Sequence, residues 1–172
     1  SAVAIGGFSS APTTTGATEI YNGSSWSESG DLSTIRGQGA GFGIETAAVC
    51  AGGNTPSAVT DATEEFGGTS WTTGGSLITA TGVFMGGWGT QTDGVVVGGG
   101  TPPYVTTTLG YDGTSWSTRP NAANAAGRTQ TAGADGSAGL RAGGGPNTTQ
   151  RDGSEEFTGE TSAANIETFS TE

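Results

Sequence analysis

"EIYNGSSW" occupies Glu19 to Trp26, "EEFGGTSW" Glu64 to Trp71 and "LGYDGTSW" Leu109 to Trp116. The three tryptophans fall at one interval of 45 residues, so the chain repeats a register and not merely a composition. A fourth, eroded copy, "EEFTGETS" from Glu155 to Ser162, puts Ser162 roughly where the next Trp belongs. A fixed period of this length marks an array of supersecondary units that bury a continuous core only by stacking on one another.

Two further landmarks travel with the Trp phrase. One is a short apolar run ended by a glycine pair: "AVAIGG" (Gly6, Gly7), "AVCAGG" (Gly52, Gly53), "VVVGGG" (Gly98, Gly99) and "LRAGGG" (Gly143, Gly144). Such a run reads as a strand buried on both faces, and the pair lets the backbone turn sharply or approach a neighbour. The other is Gly37, Gly82 and Gly127, each opening a stretch such as "GQGAGFGI" or "GVFMGGWGT". Small residues dominate there, which predicts a strand at a crowded centre. Within the Trp phrase itself, Gly23, Gly68, Gly113 and Gly159 follow a turn-former, as a positive φ between antiparallel strands requires. Between the Gly pair and the Glu-aromatic strand lie "FSSAPTTTGA", "NTPSAVTDA", "TPPYVTTT" and "PNTTQRDG", polar enough to predict surface loops. The count is four short strands per repeat.

Four antiparallel strands in 40 to 50 residues, with a glycine pair and a Trp, make the pattern of a β-propeller blade. "VCAGG … TEEFGGTSW" resembles the kelch motif, where the Gly pair ends the second strand, an aromatic ends the third and a Trp starts the fourth. That resemblance covers nearly the whole chain and implies an all-β, kelch-like propeller whose Gly pairs and Trp26, Trp71 and Trp116 are structural. The wording is also similar to the kelch-like, galactose-oxidase-like repeats of structural proteins of tailed bacteriophages, particularly marine ones. "AGGNTPSAVTDATEEFGGTSWTTGGSL" and the closing "EEFTGETSAANIETFSTE" carry that likeness.

The expected organisation is one repeat domain, 1–172, with units at 1–35 (partial), 36–80, 81–125 and 126–172 (degraded). The first unit lacks the small-residue strand before Ala2. We therefore expect the chain to be the C-terminal part of a longer polypeptide that supplies it; a closed four-bladed ring and blades shared between chains are the alternatives. Arg141 in a Gly-pair strand and Ser162 in place of Trp mark the last unit as atypical, through capping, partner contact or drift.

Composition narrows function. Hydrophobic residues are 31% of the 172 and glycine supplies 34, so a large helical core is excluded, while regularly placed aromatics argue for packing over disorder. Acidic residues number 16 against 5 basic, a net charge of −11, and all five basic residues are arginine. Phosphate backbones and anionic lipid are held through Lys and Arg, so neither nucleic acid nor membrane is an expected partner. Nothing approaches the roughly 20 apolar residues of a span. Cys50, the lone cysteine, reads as a small buried hydrophobe.

With no histidine, the usual general base and commonest metal ligand are missing. The copper chemistry that galactose oxidase performs through His and a Tyr–Cys link does not transfer. Glu64 with Glu65 and Glu155 with Glu156 are neighbours on strands, pointing to opposite faces, and are expected as solvated edge charges. Asp61, Asp135 and Asp152 sit in loops without a recognised calcium spacing. The expectation is therefore no catalysis, no cofactor and no metal. The phage resemblance implies a multi-copy virion-surface component, on tail fibre, tail tip or capsid, contacting host glycan or neighbouring subunits. A module of a secreted carbohydrate-active or lectin-like protein, and a purely architectural tile, are the alternatives. Recognition falls to variable loops on a rigid scaffold: Tyr104 first, as an exposed aromatic able to stack on sugar or else a packing residue, then Thr13, Thr14, Thr15, Asp61 and Arg151.

Overall fold

A computed structural model describes residues 1–10, 13–80, 83–101, 103–145, 153–158 and 166–169. These form fifteen strands and, among the described residues, no helix. The strands divide into four antiparallel sheets whose order follows the sequence. Sheet one holds β1 (Ala2–Ser10), β2 (Thr13–Tyr21) and β3 (Trp26–Ser29). Sheet two holds β4 (Ala40–Ile44), β5 (Ala47–Ala51), β6 (Thr63–Phe66) and β7 (Trp71–Thr73). Sheet three holds β8 (Gly86–Thr90), β9 (Asp93–Val97), β10 (Thr108–Tyr111) and β11 (Trp116–Arg119). Sheet four holds β12 (Gln130–Asp135), β13 (Ala138–Ala142), β14 (Ser154–Thr158) and β15 (Ile166–Phe169). The sheets do not close into a barrel, and each expected unit contains one sheet.

Local chemistry accounts for these elements. All eight glycines of the four pairs have positive φ, from 56° at Gly6 to 113° at Gly7, where a Cβ would be strained. Three of the pairs follow directly on a strand's end and lead into a long connection, whereas Gly6 and Gly7 lie within β1, where the register shifts between Ile5 and Gly7. The Trp phrase makes the hairpin between third and fourth strands. Asn22 Oδ1 accepts from the Ser24 and Ser25 amides at 2.9 and 3.0 Å, and Asp112 Oδ1 from the Thr114 and Ser115 amides at 2.8 and 2.7 Å. These side chains fold the turn back on its own backbone. Register then sets Tyr21 opposite Trp26, Phe66 opposite Trp71 and Tyr111 opposite Trp116. Their ring centroids are 5.2, 5.0 and 4.7 Å apart, within the range of favourable aromatic contact.

Sheets meet along their first strands, β4 against β8 and β8 against β12. Small residues dominate these strands as expected, yet each of β4 and β8 also buries one large ring, Phe42 and Trp88. The volume is made on the facing sheet instead. A Cβ on Gly94 would fall 2.1 Å from the Phe42 ring, and one on Gly139 would fall 2.2 Å from Trp88. Phe42 and Trp88 hold equivalent positions, opposite Val49 and Val95, so this ring-on-glycine contact repeats. Around it, Val49, Ala51, Leu77, Val96, Leu109 and Tyr111 form the larger core cluster. Trp88, Val95, Val97, Ala122 and Phe157 form a second, with Trp88 and Phe157 edge-on at 5.8 Å.

Buried polar contacts tie successive sheets together. Trp71 Nε1 donates to Thr18 Oγ1 at 2.9 Å, and Trp116 Nε1 to Thr63 Oγ1 at 3.0 Å and Gly75 O at 2.9 Å. Trp71 thus reaches back to β2 of sheet one and Trp116 to β6 of sheet two, corresponding strands of the preceding sheet. Ser162, expected in the Trp place of the last unit, lies outside the described residues; there the register pairs Ile166 with Phe157.

Candidate functional site

The expected contact residues do not form one site. Tyr104, expected either as an exposed aromatic or as a packing residue, is buried with 8% of its surface accessible, its ring against the backbone of Gly127, which is the packing alternative. Thr13 to Thr15 lie within strand β2, because the hairpin of sheet one is longer than its counterparts; Thr13 is exposed, Thr14 buried and Thr15 half-buried. Asp61 is exposed between β5 and β6, and its carbonyl accepts from the Leu77 amide at 2.8 Å. Arg151 lies outside the described residues, as does Asp152.

The carboxylates also need correction. Glu64, expected on a solvated edge, is buried. Its Oε2 accepts from the Ser33 amide and hydroxyl at 2.8 and 2.7 Å, and its Oε1 lies 3.0 Å from Arg36 Nη1. Arg36 in turn donates through Nη2 to Cys50 O at 3.2 Å. Burial pushes the free Cys50 thiol above its ordinary pKa, partly offset by this guanidinium. In sheet four, Glu155 is buried likewise: Oε2 accepts from Arg141 Nη2 at 2.8 Å, and Oε1 from the Asn124 amide at 3.1 Å. Both glutamates grip the loop arriving from the preceding sheet. Glu65, on the opposite face from Glu64, accepts from the Tyr111 hydroxyl of sheet three. These carboxylates are spent on joints between sheets. Among the described residues no three of His, Cys, Asp and Glu gather as a metal site would require.

One set of residues stands apart by its backbone conformation. Gln38, Phe84 and Arg128 have φ of 64°, 61° and 59°, and they are the non-glycine residues in the left-handed region among those described. A bulky residue such as Phe is a genuine outlier there. The three sit just before β4, β8 and β12, and they are linked: the Phe84 amide donates to Gln38 O at 2.8 Å, and the Arg128 amide to Phe84 O at 3.0 Å. The Arg128 guanidinium lies 4.4 Å above the Phe84 ring, a cation–π contact. Arg128 is exposed, while Gln38 and Phe84 are half-buried. An amide, an aromatic ring and a cation are thus set in a row along three successive sheets, on backbone held in a costly conformation. Strain of this kind concentrates at sites of recognition or switching. Sequence reasoning passed over the row: each residue lies one or two places after Gly37, Gly82 or Gly127, but the side chains differ and φ leaves no mark on composition.

No family model matches the chain, and no curated protein does. The solved structure of YjhT is similar in fold: the match has a TM-score of 0.72 at 14% identity and covers 91% of this chain and 53% of YjhT. The chain therefore spans about half the length of that protein.

Proposed function

We propose that the chain is part of a kelch-like β-propeller that serves, without catalysing a reaction, as a structural and recognition component on the surface of a tailed-phage virion. The linked row Gln38, Phe84 and Arg128 carries the recognition part of this reading. Its chemistry suits a sugar: the Gln38 amide can meet hydroxyls, Phe84 offers an apolar ring edge, and Arg128 can bind a carboxylate substituent through paired hydrogen bonds. In a chain of net charge −11, an exposed arginine at such a row is also a local exception to the field that repels anions. The structural part rests on the joints between sheets, which use Trp, Glu and Arg for cohesion, and the phage assignment rests on the repeat phrases.

The test is a glycan array probed with the chain in multivalent display, beside Arg128→Ala and Phe84→Ala. Binding to carboxylated glycans that both variants lose supports the row as the contact. Binding that survives both, or its absence at high avidity, overturns the recognition reading. Mass spectrometry of particles purified from the source of this chain tests the virion assignment separately; its absence from them sinks that assignment.

A further inference from the structure

Asn22 is the one asparagine of six that a glycine follows, and Asn22 and Gly23 are both exposed in the turn between β2 and β3. Asn22 Oδ1 accepts from the Ser24 and Ser25 amides at 2.9 and 3.0 Å, while its own amide donates to Ser25 O at 3.2 Å. In the corresponding turn of sheet three the residue is Asp112. Its Oδ1 accepts from the Thr114 and Ser115 amides at 2.8 and 2.7 Å, and its amide donates to Ser115 O at 3.2 Å. Gly23 and Gly113 follow, at φ of 102° and 89°. One turn thus holds an amide in sheet one and the matching acid in sheet three, with the same donors.

The turn fits the acid better than the amide. The Ser115 hydroxyl donates to Asp112 Oδ2 at 3.0 Å, whereas the Ser25 hydroxyl oxygen lies 3.5 Å from Asn22 Nδ2. The Ser115 amide, then the Thr114 amide and the Ser115 hydroxyl, hold the Asp112 carboxyl below the usual carboxylate range. Asp112 is therefore an anion and a poor electrophile. Asn22 instead presents a neutral carbonyl carbon with a leaving group on it, and the nearest nucleophile in sequence is the backbone nitrogen of Gly23. Space for ring closure is open, since a Cβ on Gly23 would have nothing within 4 Å. The two amides aimed at Oδ1 stand where negative charge gathers as Cγ becomes tetrahedral.

We propose that Asn22 is a self-modifying site, and that its turn directs the product to aspartate over isoaspartate. The Gly23 nitrogen gives its proton to solvent base and bonds to Asn22 Cγ; the Cγ–Nδ2 bond breaks, and ammonia leaves with a proton from water. Water then opens the five-membered succinimide. Attack at Cγ breaks the newly formed bond to the Gly23 nitrogen, returns its proton and leaves a side-chain carboxylate. Attack at the main-chain carbonyl reroutes the backbone through Cγ as isoaspartate, the major product in unstructured peptides. In the folded turn the Ser24 and Ser25 amides polarise the Cγ carbonyl, so water enters there and the aspartate takes up the geometry of Asp112. The sum consumes one water, releases one ammonia and adds one negative charge to the chain's −11. This chemistry is independent of the glycan and virion readings.

The test incubates the folded 172-residue chain at pH 7 and pH 9 beside the peptide of residues 17–28, ATEIYNGSSWSE. Proteolytic fragments are mapped by mass spectrometry, and isoaspartate is counted with an isoaspartyl methyltransferase. Conversion at Asn22 is expected ahead of every other asparagine and faster at pH 9. The ratio of aspartate to isoaspartate is expected to be at least fivefold that of the peptide. Asp112→Asn installs the same step in sheet three and leaves the backbone donors in place, so it should gain conversion at position 112 with the same bias. The first readout uses the unaltered chain, so misfolding of a variant cannot imitate it. An Asn22 amide still intact after another asparagine has converted overturns the proposal. So does a ratio in the folded chain equal to that of the peptide, at position 22 or, in the variant, at 112.

Discussion

Glu64 and Arg36 face each other at 3.0 Å with 3% and 1% of their side chains reaching solvent, and the register of the repeat is what makes the pair necessary. The same position in sheet three is Leu109, lying opposite Val96 and needing no cation. In sheet four it is Glu155 again, but the guanidinium comes from Arg141 on the neighbouring strand and not from the preceding loop. A buried carboxylate is tolerated where charge can be supplied from any adjacent place.

Removing one partner should therefore cost far more than replacing both. Arg36→Met leaves Glu64 buried without its cation and is expected to destabilise by about 3–5 kcal/mol. Arg36→Met with Glu64→Leu, which imitates the apolar solution at Leu109, should recover most of that loss. Urea unfolding midpoints of the two single variants and the double decide it; a double-variant loss equal to the sum of the singles would show that the residues are not coupled.

The tryptophans, alike in sequence, should differ in worth. Trp116 is buried and its indole has two acceptors, so Trp116→Phe strands the Thr63 hydroxyl and the Gly75 carbonyl. A loss of about 1–3 kcal/mol follows from unmade buried hydrogen bonds. Trp26 is half exposed and pairs with Tyr21 alone in the ring contacts of sheet one, so Trp26→Phe should stay within about 0.5 kcal/mol. Thermal melts of both variants give the comparison, and equal shifts would count against the inter-sheet bond as the source.

Tyr111 predicts an alkaline weakness. Burial, then the carboxylate of Glu65 that accepts its hydroxyl, push the phenol well above its ordinary pKa. A group whose folded pKa is raised contributes stability that is complete below its unfolded value, about 10 for Tyr, and is lost as pH rises beyond it. Urea midpoints at pH 8 and pH 10.5 should therefore fall further for the parent chain than for Tyr111→Phe. A parallel decline in both would assign the alkaline loss to other groups.

Strand positions were legible because each leaves a periodic trace: the glycine pairs, the Trp phrase and the small-residue stretches recur at or near one spacing. Thr18, Thr63 and Thr108 recur at 45 residues too, and that was a readable sign of the Trp–Thr bond, hidden among many other threonines. The ion pairs left no such trace, since Arg36 and Arg141 occupy different places in the repeat and reach their glutamates only through folding. The hairpin of sheet one misled because "SSAPTTT" has loop composition, yet strand pairing continues to Ser10 and resumes at Thr13. The sequence left Tyr104 between exposure and packing for a related reason: its prolines mark a turn, but burial depends on whether a neighbour such as Gly127 leaves room for the ring.

The ring-on-glycine contact gives the last prediction. Phe42 occupies the space that any side chain at Gly94 would need, and the obstruction is a ring within a packed core, not the end of a flexible chain. Gly94→Ala must displace Phe42 or separate β4 from β9, and overpacking of this kind typically costs about 1–3 kcal/mol. Gly41, on β4 itself, has only ordinary contact distance to its nearest neighbour, so Gly41→Ala should change stability by about 0.5 kcal/mol or less. The two substitutions add the same methyl group to strand glycines outside the left-handed region, Gly41 on β4 of sheet two and Gly94 on β9 of sheet three, so intrinsic backbone preference is nearly matched between them. Denaturant midpoints measured side by side then isolate the socket. A Gly94→Ala variant as stable as Gly41→Ala would mean that Phe42 has room to move and that the aromatic contact does not fix the spacing of the sheets.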